Sequence, residues 1–300
     1  MHHIILNPVA GKGRTIEQLP RLMKAFENFN LPCKAHVTKK PGDGYDIAKM
    51  LCQHTPAPTS IIGAGGDGTI QEIVAGMVAG SGDQHPIPIP FAICPIGSGN
   101  DFVESLGTAR KVFNPREFVQ RIAQGKTRMV DVITANGEGF LNIANIGIDA
   151  KIVENAAKLK QRHGGRAYLA AVYKTIMKHT NTPMEIIADG QVFKGDFTIA
   201  AICNGQYYGG GLHIAPSAQF DDGKITLCLI EGISRPKLGV LFPSLLIKKH
   251  TGLKIVKFVD CTEVTITLKN EEILCLDGNL MPAKGKIRFN IRPQALEVFV

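Results

Sequence analysis

Residues 59–74 join an apolar segment to a glycine-rich turn, and the turn runs directly into a helical pattern. Ile61 and Ile62 are typical of a buried strand, and apolar residues recur at helical spacing from Ile70 onward. The glycines of the turn are Gly63, Gly65, Gly66 and Gly68. A strand, a glycine turn and a helix start together expose backbone N–H groups to an anion. The stretch therefore predicts a phosphate-binding loop.

Two known glycine patterns fit this turn poorly. Gly63, Gly65 and Gly68 satisfy the dinucleotide pattern G-x-G-x-x-G, but no acidic residue ends a second strand about 20 residues later. The P-loop pattern G-x-x-x-x-G-K-[ST] is absent from the chain. Neither pattern accounts for Asp67, a carboxylate inside the turn. Mg²⁺ could bridge it to a phosphate, it could hold or deprotonate a hydroxyl, or it could simply cap the helix.

Two more polar loops follow predicted strands in the first 130 residues. A strand at 3–6 precedes the loop at 7–14, and a strand at 87–95 precedes the loop at 96–102. Strands alternate with helical segments here, which predicts a parallel sheet covered by helices. Because ligands bind at the carboxyl edge of such a sheet, we expect the three loops to converge there. Their convergence predicts an active site.

The pattern changes after about residue 130, where short strands separated by turns predominate. Helical exceptions are expected at 151–179 and 236–249. The turn signals are Asp189-Gly190, Asp222-Gly223 and Asp277-Gly278. Regular short strands, the last four of them expected at 263–268, 272–276, 284–291 and 295–300, predict an antiparallel sandwich or barrel. We therefore expect an α/β nucleotide-binding domain at 1–130, on which the C-terminal tail can pack back, and a β-rich domain at 131–300.

The net charge of +8 is concentrated in one stretch. Residues 151–180 contain Glu154 as their only acid, and their basic residues are Lys151, Lys158, Lys160, Arg162, Arg166, Lys174 and Lys178. Basic surface suits nucleic acid, anionic membrane or phosphorylated substrates, and a solvated helix face is the alternative. No helix-turn-helix, zinc-finger or aromatic RNA-binding pattern accompanies it, so we expect no nucleic-acid partner.

The cysteines indicate a reducing compartment. The chain has 7 cysteines without a C-x-x-C pair, and most lie in apolar runs, as buried reduced thiols do. No apolar run approaches the roughly 18–20 residues that span a bilayer, and the first residues lack a signal-peptide pattern. These features predict a cytoplasmic protein.

Taken together, the motifs resemble the diacylglycerol kinase catalytic family, which includes bacterial soluble lipid kinases and the sphingosine and ceramide kinases. The resemblance starts with N-P-x-x-G-x-G at 7–13, G-G-D-G-T at 65–69 and G-S-G-N-D-F at 97–102. It continues with Gly147-Ile148-Asp149-Ala150, Ala215-Pro216-Ser217-Ala218, Asp221-Asp222-Gly223 and Asp277-Gly278. It implies an N-terminal α/β domain like that of NAD kinases and phosphofructokinases, and a mainly antiparallel β-sandwich C-terminal domain.

The resemblance also implies which residues bind ATP, with Lys12 as a mobile positive charge for its phosphates. Those residues are Asn7, Gly11, Lys12, Gly13, Thr38, Gly65, Gly66, Asp67, Gly68, Thr69, Ile70, Gln71, Ser98, Asn100 and Asp101. Asp67 would handle a Mg²⁺ ion or the reacting hydroxyl, and Ser98, Asn100 and Asp101 would contact nucleotide or metal.

A structural Mg²⁺ site is implied in the second domain. Asp222 matches a family aspartate that holds this ion, and the backbone carbonyls of Gln219 and Lys224 would complete the protein ligands. From the residues alone, a plain hairpin turn is the stronger reading of Asp222-Gly223. Lys160 stands where the family has a basic residue before G-x-x-A-Y, here Gly164, Ala167 and Tyr168. A solvated lysine is the alternative there.

One departure concerns the chemistry itself. The family motif D-G-E supplies a glutamate thought to deprotonate the lipid hydroxyl, whereas residue 279 is asparagine. An amide accepts no proton near neutral pH, so Asn279 cannot act as the general base. Transfer could proceed by positioning alone, Asp277 or Asp67 could replace the base, or turnover could be lost. Asp67, Asp277 and Asn279 are therefore the catalytic positions to locate.

The function implied is ATP- and Mg²⁺-dependent phosphorylation of a lipid hydroxyl by a cytoplasmic protein in peripheral contact with anionic membrane. A nucleotide- and lipid-binding protein with weak or no kinase activity is the alternative raised by Asn279. A kinase of a soluble substrate such as NAD is a further alternative, because NAD kinases share the G-G-D-G-T loop. A dinucleotide oxidoreductase is the least favoured. Pairing of two copies into a homodimer is left open.

Overall fold

A parallel sheet forms the first part of the molecule. The structure, a computed structural model, describes residues 1–97, 99–107, 113–163, 174–209, 211–246 and 249–300. The parallel strands are β1 (His2–Leu6), β2 (Cys33–Val37), β3 (Ser60–Gly65) and β4 (Phe91–Pro95). They lie in the order β4-β3-β1-β2, and each adjacent pair is parallel. The loops that follow β1, β3 and β4 therefore leave the sheet at the same edge.

Helices cover both faces of this sheet because its strands are apolar on both sides. They are α1 (Arg14–Asn28), α2 (Asp43–Cys52), α3 (Asp67–Ser81), α4 (Asp101–Ser105) and α5 (Pro115–Gln124). On one face, Phe26 of α1 and Phe118 of α5 share a buried cluster with Ile4 and Ile62 of the sheet. On the other, α2 and α3 pack with Ile5 and Ile61. Burial of each such side chain contributes about 1.5–3 kcal/mol.

The position of α3 is fixed by close contact with α2. A Cβ added at Gly76 would collide with the carbonyl oxygen of Tyr45, and one added at Gly80 would lie 2.6 Å from the carbonyl oxygen of Lys49. Ile73 and Met77 on α3 are fully buried. Glycine lets the two backbones approach here, and the buried side chains then hold the start of α3 against the sheet.

The remaining strands are mainly antiparallel. They are β5 (Thr127–Ala135), β6 (Glu138–Phe140), β7 (Ile143–Gly147), β8 (Thr182–Ala188), β9 (Gln191–Cys203), β10 (Tyr207–Tyr208), β11 (Leu212–His213), β12 (Ile225–Glu231), β13 (Val256–Cys261), β14 (Glu263–Leu276) and β15 (Asn279–Phe299). The long strands β9 and β14 each pair with β8 over one half and with β7 over the other. They therefore pass between the layers of a sandwich. The predicted fold class, an α/β domain followed by a β-sandwich domain, is confirmed.

Two cores hold the sandwich together. Its interior contains Ile146, Ile202, Leu227 and Phe289, among others. Its outer face is covered by α6 (Ile148–His163) and α7 (Arg235–Leu246), whose apolar side chains pack on the strands. Within the described residues, no helix has the length and apolar character needed to cross a bilayer.

Several predicted elements differ in their bounds. The strands predicted at 263–268 and 272–276 form the single strand β14, whose register with β15 shifts between Leu268 and Glu272. Those predicted at 284–291 and 295–300 lie in β15. The helical stretch predicted at 151–179 includes α6 and residues 174–178, while 164–173 lie outside the described residues. Irregular pairing inside a long strand resembles a turn in the sequence, which explains the split predictions.

The last strand connects the two parts of the molecule. The start of β15 pairs with β14, while Val298 near its end pairs in parallel with Phe91 of β4. Its second half also pairs with β5, with a register shift between Arg292 and Leu296. One hydrogen-bonded sheet therefore runs from the antiparallel strands into the parallel ones.

Candidate active site

The first loop leaves β1 at Asn7, whose side chain ties it to the start of α3. Asn7 Nδ2 donates to Thr69 Oγ1 at 3.1 Å, and Asn7 Oδ1 accepts from the Val9 N–H at 3.1 Å. Gly11, Lys12 and Gly13 follow with φ values of 59°, 63° and 88°. This left-handed run turns the chain back, and Gly11 lies so close to the carbonyl of Ile96 that a side chain would not fit.

The second loop begins α3. Gly66 precedes the helix in an extended conformation, and no side chain caps its first N–H groups. A Cβ on Gly65 would lie 2.6 Å from Thr69 Oγ1, and a Cβ on Gly97 would collide with Gly66. The glycines therefore allow the second and third loops to touch through their backbones. A helix start without a side-chain cap favours an anion, since a helix N-terminus carries free N–H groups and the positive end of the dipole.

Asp67 joins the second loop to the third. Its carboxylate accepts the N–H of Asn100 at 2.9 Å and the N–H of Asp101 at 3.0 Å. Burial and the neighbouring Asp101 carboxylate together raise the pKa of Asp67 to about 6, against the opposing effect of the N–H donors. The side chain of Asp67 therefore sits where the second and third loops meet, close to a second acid.

The third loop is held in turn by its own polar residues. Asn100 has a φ of 62°, and its Nδ2 donates to the carbonyls of Pro95 at 3.4 Å and Gly97 at 3.3 Å. Asp101 starts α4 and accepts the N–H of Gly211 at 2.9 Å. Ser98 lies outside the described residues. The contact with Gly211 brings the loop between β10 and β11 to the site.

Thr38 is at the end of β2, beside the first loop. Its N–H and Oγ1 both donate to the carbonyl of Leu6, at 2.9 Å and 3.3 Å. Ile70 and Gln71 on α3 are buried, so their side chains face the interior rather than the open edge. The structure thus brings the described members of the predicted ATP set to one edge, with these two approaching it through their backbone.

Asp277 is buried deeper than Asp67. It accepts N–H groups from Leu141 at 2.9 Å, Asn142 at 3.1 Å and Ile143 at 2.7 Å. Burial raises the pKa of Asp277 to about 7, although these three donors oppose the increase. It lines a small cavity together with Asp67. Its oxygens are thus occupied in holding the segment between β6 and β7.

Asn279 reaches the second loop from the turn between β14 and β15. Its Nδ2 donates to the carbonyl of Gly68 at 2.8 Å and to Gln71 Oε1 at 2.7 Å. The predicted catalytic positions Asp67, Asp277 and Asn279 therefore surround the first turn of α3. They come from three separate parts of the sequence.

The predicted metal residues lie apart from this edge. Asp222 is exposed, and its Oδ1 accepts the N–H of Lys224 at 3.0 Å. It lines an open groove that also contains Asp221 and Gln294. The described residues contain no group of three or more His, Cys, Asp or Glu side chains that could hold a metal. A cation here would need backbone carbonyls and water beside Asp222, an oxygen donor set that fits Mg²⁺.

Asp131 holds this loop, and the sequence patterns did not single it out. It is fully buried, and it accepts the N–H of Gly223 at 2.7 Å and that of Gln294 at 2.6 Å. Burial raises the pKa of Asp131, with Asp222 and Asp221 adding to the increase. The available signal was a carboxylate inside the apolar run Val130–Ile133. A buried acid in a strand requires such donors.

One predicted feature lies outside the described residues, and one further feature was missed. The basic segment around Lys160 was predicted to contact lipid, but the Lys160 side chain, Gly164, Ala167 and Tyr168 lie outside the described residues. The β10–β11 loop, with consecutive glycines at 209–211, was not selected, although Gly211 contacts Asp101. Three glycines in a row after two tyrosines were the signal that could have found it.

Known proteins share this architecture. The family model of the diacylglycerol kinase catalytic domain matches residues 2–135, and that of the YegS C-terminal NAD kinase beta sandwich-like domain matches residues 142–300. A diacylglycerol kinase of Staphylococcus carnosus (strain TM300) is 28% identical over 276 residues, which cover 92% of this chain and 87% of that protein.

Solved structures agree at the level of the fold. A crystal structure of a diacylglycerol kinase from Bacillus anthracis str. Sterne has a TM-score of 0.68 and 22% identity, covering 99% of this chain and 96% of the other. An NAD kinase from Archaeoglobus fulgidus in complex with ATP has a TM-score of 0.53 and 12% identity, covering 100% and 94%. With both family models matched in sequence along its length, the chain belongs to the diacylglycerol kinase catalytic-domain family and carries its YegS-type C-terminal domain.

Proposed function

We propose that this protein transfers the γ-phosphoryl group of ATP to the hydroxyl of a diacylglycerol-type lipid. The observation that carries the proposal is the meeting of three glycine-containing loops at one sheet edge, with Asp67 between the second and the third. Membership of a family of lipid kinases supports the class of reaction. Asp67, Asn100 and Asp101 supply the polar groups for a metal-assisted transfer at this edge.

The loops would bind the nucleotide through several of their groups. The N–H groups at the uncapped start of α3 would donate hydrogen bonds to phosphate oxygens, as helix N-termini do. Lys12, exposed at the tip of the first loop, would add a positive charge that can follow the phosphates. Asn7 and Thr38 would border the nucleotide from β1 and β2. Ser98 is assigned to the same site by its motif alone.

Mg²⁺ fits beside Asp67 because a carboxylate near a second acid requires compensating positive charge. When bound there, the ion would neutralise charge on the transferring phosphoryl group. Asp67 and Asp101 would hold it, and the loop backbones would fix the direction of the phosphates. A separate structural Mg²⁺ at Asp222, with the carbonyls of Gln219 and Lys224, would fix the distal loop.

Asn279 favours a second candidate, a nucleotide- and lipid-binding protein with weak or no turnover. Neither Nδ2 nor Oδ1 of an amide takes up a proton at neutral pH. Asp277 is occupied by backbone donors, so it is a poor replacement for the missing base. Phosphoryl transfer depends chiefly on positioning and charge neutralisation, so loss of a base lowers the rate without abolishing it. We therefore favour a slow kinase.

The decisive experiment is transfer of labelled γ-phosphate to diacylglycerol, ceramide and sphingosine in mixed micelles with Mg²⁺. NAD and other soluble alcohols serve as acceptors in parallel. A labelled lipid supports the kinase proposal, and labelled NAD would replace it with a soluble-substrate kinase. Nucleotide binding without product from any acceptor would leave the binding protein as the function.

The proposal places the reaction at the cytoplasmic surface of an anionic membrane. The basic residues of segment 151–180 support this location, and attraction of each to anionic lipid contributes about 1 kcal/mol. Sedimentation with vesicles tests it. Binding to phosphatidylserine vesicles that weakens with salt is expected, and equal binding to uncharged vesicles would contradict it.

A further inference from the structure

A single carboxamide fastens the β14–β15 turn to the phosphate loop. Asn279 Nδ2 donates both to the Gly68 carbonyl at 2.8 Å and to Gln71 Oε1 at 2.7 Å. The oxygen of the same amide lies above Gly68, since a Cβ there would come within 2.6 Å of it. Asn279 therefore bonds to two residues at the start of α3, which precede it in the sequence by 208 and 211 positions.

Gln71 continues this contact on the other side. It is 1% exposed, and its Nε2 donates to Glu138 Oε1 and to the carbonyl of Gly139, both at 3.2 Å. A carboxylate and a carbonyl only accept hydrogen bonds, so the amide nitrogen of Gln71 must face β6. Its oxygen must then face Asn279. Glu138 and Gly139 thus determine which hydrogen-bonding group Gln71 presents to residue 279.

The geometry points to an oriented hydrogen-bond chain, Glu138–Gln71–Asn279–Gly68, that positions the phosphate loop and requires a donor at residue 279. All three side chains are positioning residues, because they act through the backbone of Gly68 and the start of α3. The chain explains the asparagine in place of the family glutamate. A carboxylate at 279 would face two acceptors, the Gly68 carbonyl and Gln71 Oε1, in a part-buried site.

Restoring the family glutamate at residue 279 is not expected to restore activity. Restoring the motif by Asn279→Glu would introduce a proton acceptor, yet it would also repel the loop that holds the nucleotide phosphates. We therefore expect Asn279→Glu to weaken ATP binding and to reduce any transfer. A glutamate at residue 279 would need a hydrogen-bond donor from residue 71. Glu138 and Gly139 already accept from the Gln71 nitrogen, so Gln71 presents only its oxygen to residue 279.

The isosteric change Asn279→Asp tests the requirement for a donor without altering side-chain size. The dissociation constant for ATP with Mg²⁺, measured by calorimetry on the full chain, is expected to rise about tenfold to a hundredfold, the cost of an unpaired buried acceptor. Asn270→Asp is the matched control, since Asn270 is exposed on the same hairpin. A purely structural role would lower the melting temperature of Asn279→Asp and leave its ATP affinity unchanged, which would overturn the inference.

Rescue by Glu138→Gln tests the orientation of the chain. A glutamine at 138 can donate to the Gln71 oxygen, so Gln71 can turn its nitrogen toward residue 279 with only the Gly139 carbonyl opposing the turn. The loss of ATP affinity caused by Asn279→Asp is therefore expected to shrink at least about threefold in the Glu138→Gln background, as coupled neighbours do. An equal loss of ATP affinity in both backgrounds would contradict the proposed hydrogen-bond chain.

Glu138→Leu alone carries the test if Asn279→Asp does not fold. It removes the side-chain acceptor of Gln71 Nε2 and leaves only the Gly139 carbonyl to orient that amide, so we expect ATP binding to weaken about threefold relative to the exposed control Glu271→Leu. Unchanged affinity would overturn the inference. The inference rests on the proposed nucleotide site, but the two fail separately. If residues 138 and 279 are coupled but no lipid product forms, only the proposed kinase activity is rejected. If lipid product forms without that coupling, only the hydrogen-bond chain is rejected.

Discussion

Asp67 and Asp277 hold neighbouring segments by the same means in two different regions of the molecule. Asp67 accepts the N–H groups of Asn100 and Asp101 at the open edge of the parallel sheet. Asp277 accepts three consecutive N–H groups, from residues 141–143, inside the β-rich half. Each follows or precedes a glycine turn, and each lies beside the same small cavity.

The difference shows that a raised pKa does not by itself identify a reacting acid. Burial raises the pKa of Asp67 to about 6 and that of Asp277 to about 7. Only Asp67 stands among loops that can receive phosphate. Asp277 has more donors and less access, so its carboxylate stabilises the fold. The surroundings of the carboxylate, more than its acidity, separate the two roles.

The largest effect is expected from Asp67→Asn. The amide removes the charge that would hold Mg²⁺ and keeps one acceptor for the N–H groups of Asn100 and Asp101. We expect phosphoryl transfer to fall about a thousandfold, the scale of losing one preorganised electrostatic group, and the free energy of unfolding to fall by about 1 kcal/mol, because one N–H group loses its acceptor. Labelled-phosphate assays and calorimetry measure the two quantities. Transfer within a few-fold of wild type would assign the essential acid elsewhere.

Asp277→Asn is the matched change in the other region and should show the opposite pattern. The amide presents one acceptor oxygen to three backbone donors, so buried N–H groups lose their partners. We expect the free energy of unfolding to fall by about 2–4 kcal/mol in urea denaturation. The transfer rate of the folded fraction should fall much less than in Asp67→Asn. A larger loss of rate than of stability would make Asp277 a catalytic acid.

The pH dependence of stability sharpens the comparison. Both carboxyls have folded-state pKa values above the usual 3.8, so the folded protein retains protons that the unfolded chain releases. Their contribution is complete below about pH 4, and the free energy of unfolding falls as pH rises through about 6 and 7. Asp277→Asn removes its part of this slope between about pH 4 and pH 7. If the free energy of unfolding of Asp277→Asn, measured at several pH values, keeps the wild-type pH dependence, Asp277 is not a source of this slope.

The smallest effect is expected from Gly68→Ala at the second loop. The added Cβ would lie 2.6 Å from Asn279 Oδ1 and would push the β14–β15 turn away from α3. We expect ATP affinity to fall about fivefold, equivalent to about 1 kcal/mol of overpacking. Gly252→Ala is the control, because nothing lies within 4 Å of its added Cβ. Equal affinities for the two variants would mean that the turn moves freely.

The sequence predicted the loop edge well for a local reason. Each predicted phosphate loop directly follows its own strand, as Asn7 follows β1 and Gly66 follows β3. Parallel strands bring such loops to one edge without any long-range information. The resemblance then assigned the loops to a family that the comparisons confirm. The fold class was predictable for the same reason, since hydrophobic spacing separates helices from strands within a few residues.

The contacts that join distant segments could not be predicted in this way. Asp131 meets Gly223 and Gln294, and Asn279 meets Gln71, across more than 90 positions of the chain. No local pattern distinguishes the asparagine that orders a loop from one that ends a turn. The side-chain role at 279 follows only from the orientation of Gln71, which Glu138 and Gly139 impose.

The continuity of β15 affects how the whole molecule can deform. Because this strand is hydrogen-bonded to β14 near Asn279 and to β4 near Val298, it acts as a mechanical tie between the two halves. A rigid-body hinge at the boundary would have to break those ladders. Twisting of the sheet keeps the ladders intact, and the register shift between Arg292 and Leu296 is where the pairing of β15 with β5 is already irregular. Heat should likewise melt the two halves together rather than one after the other.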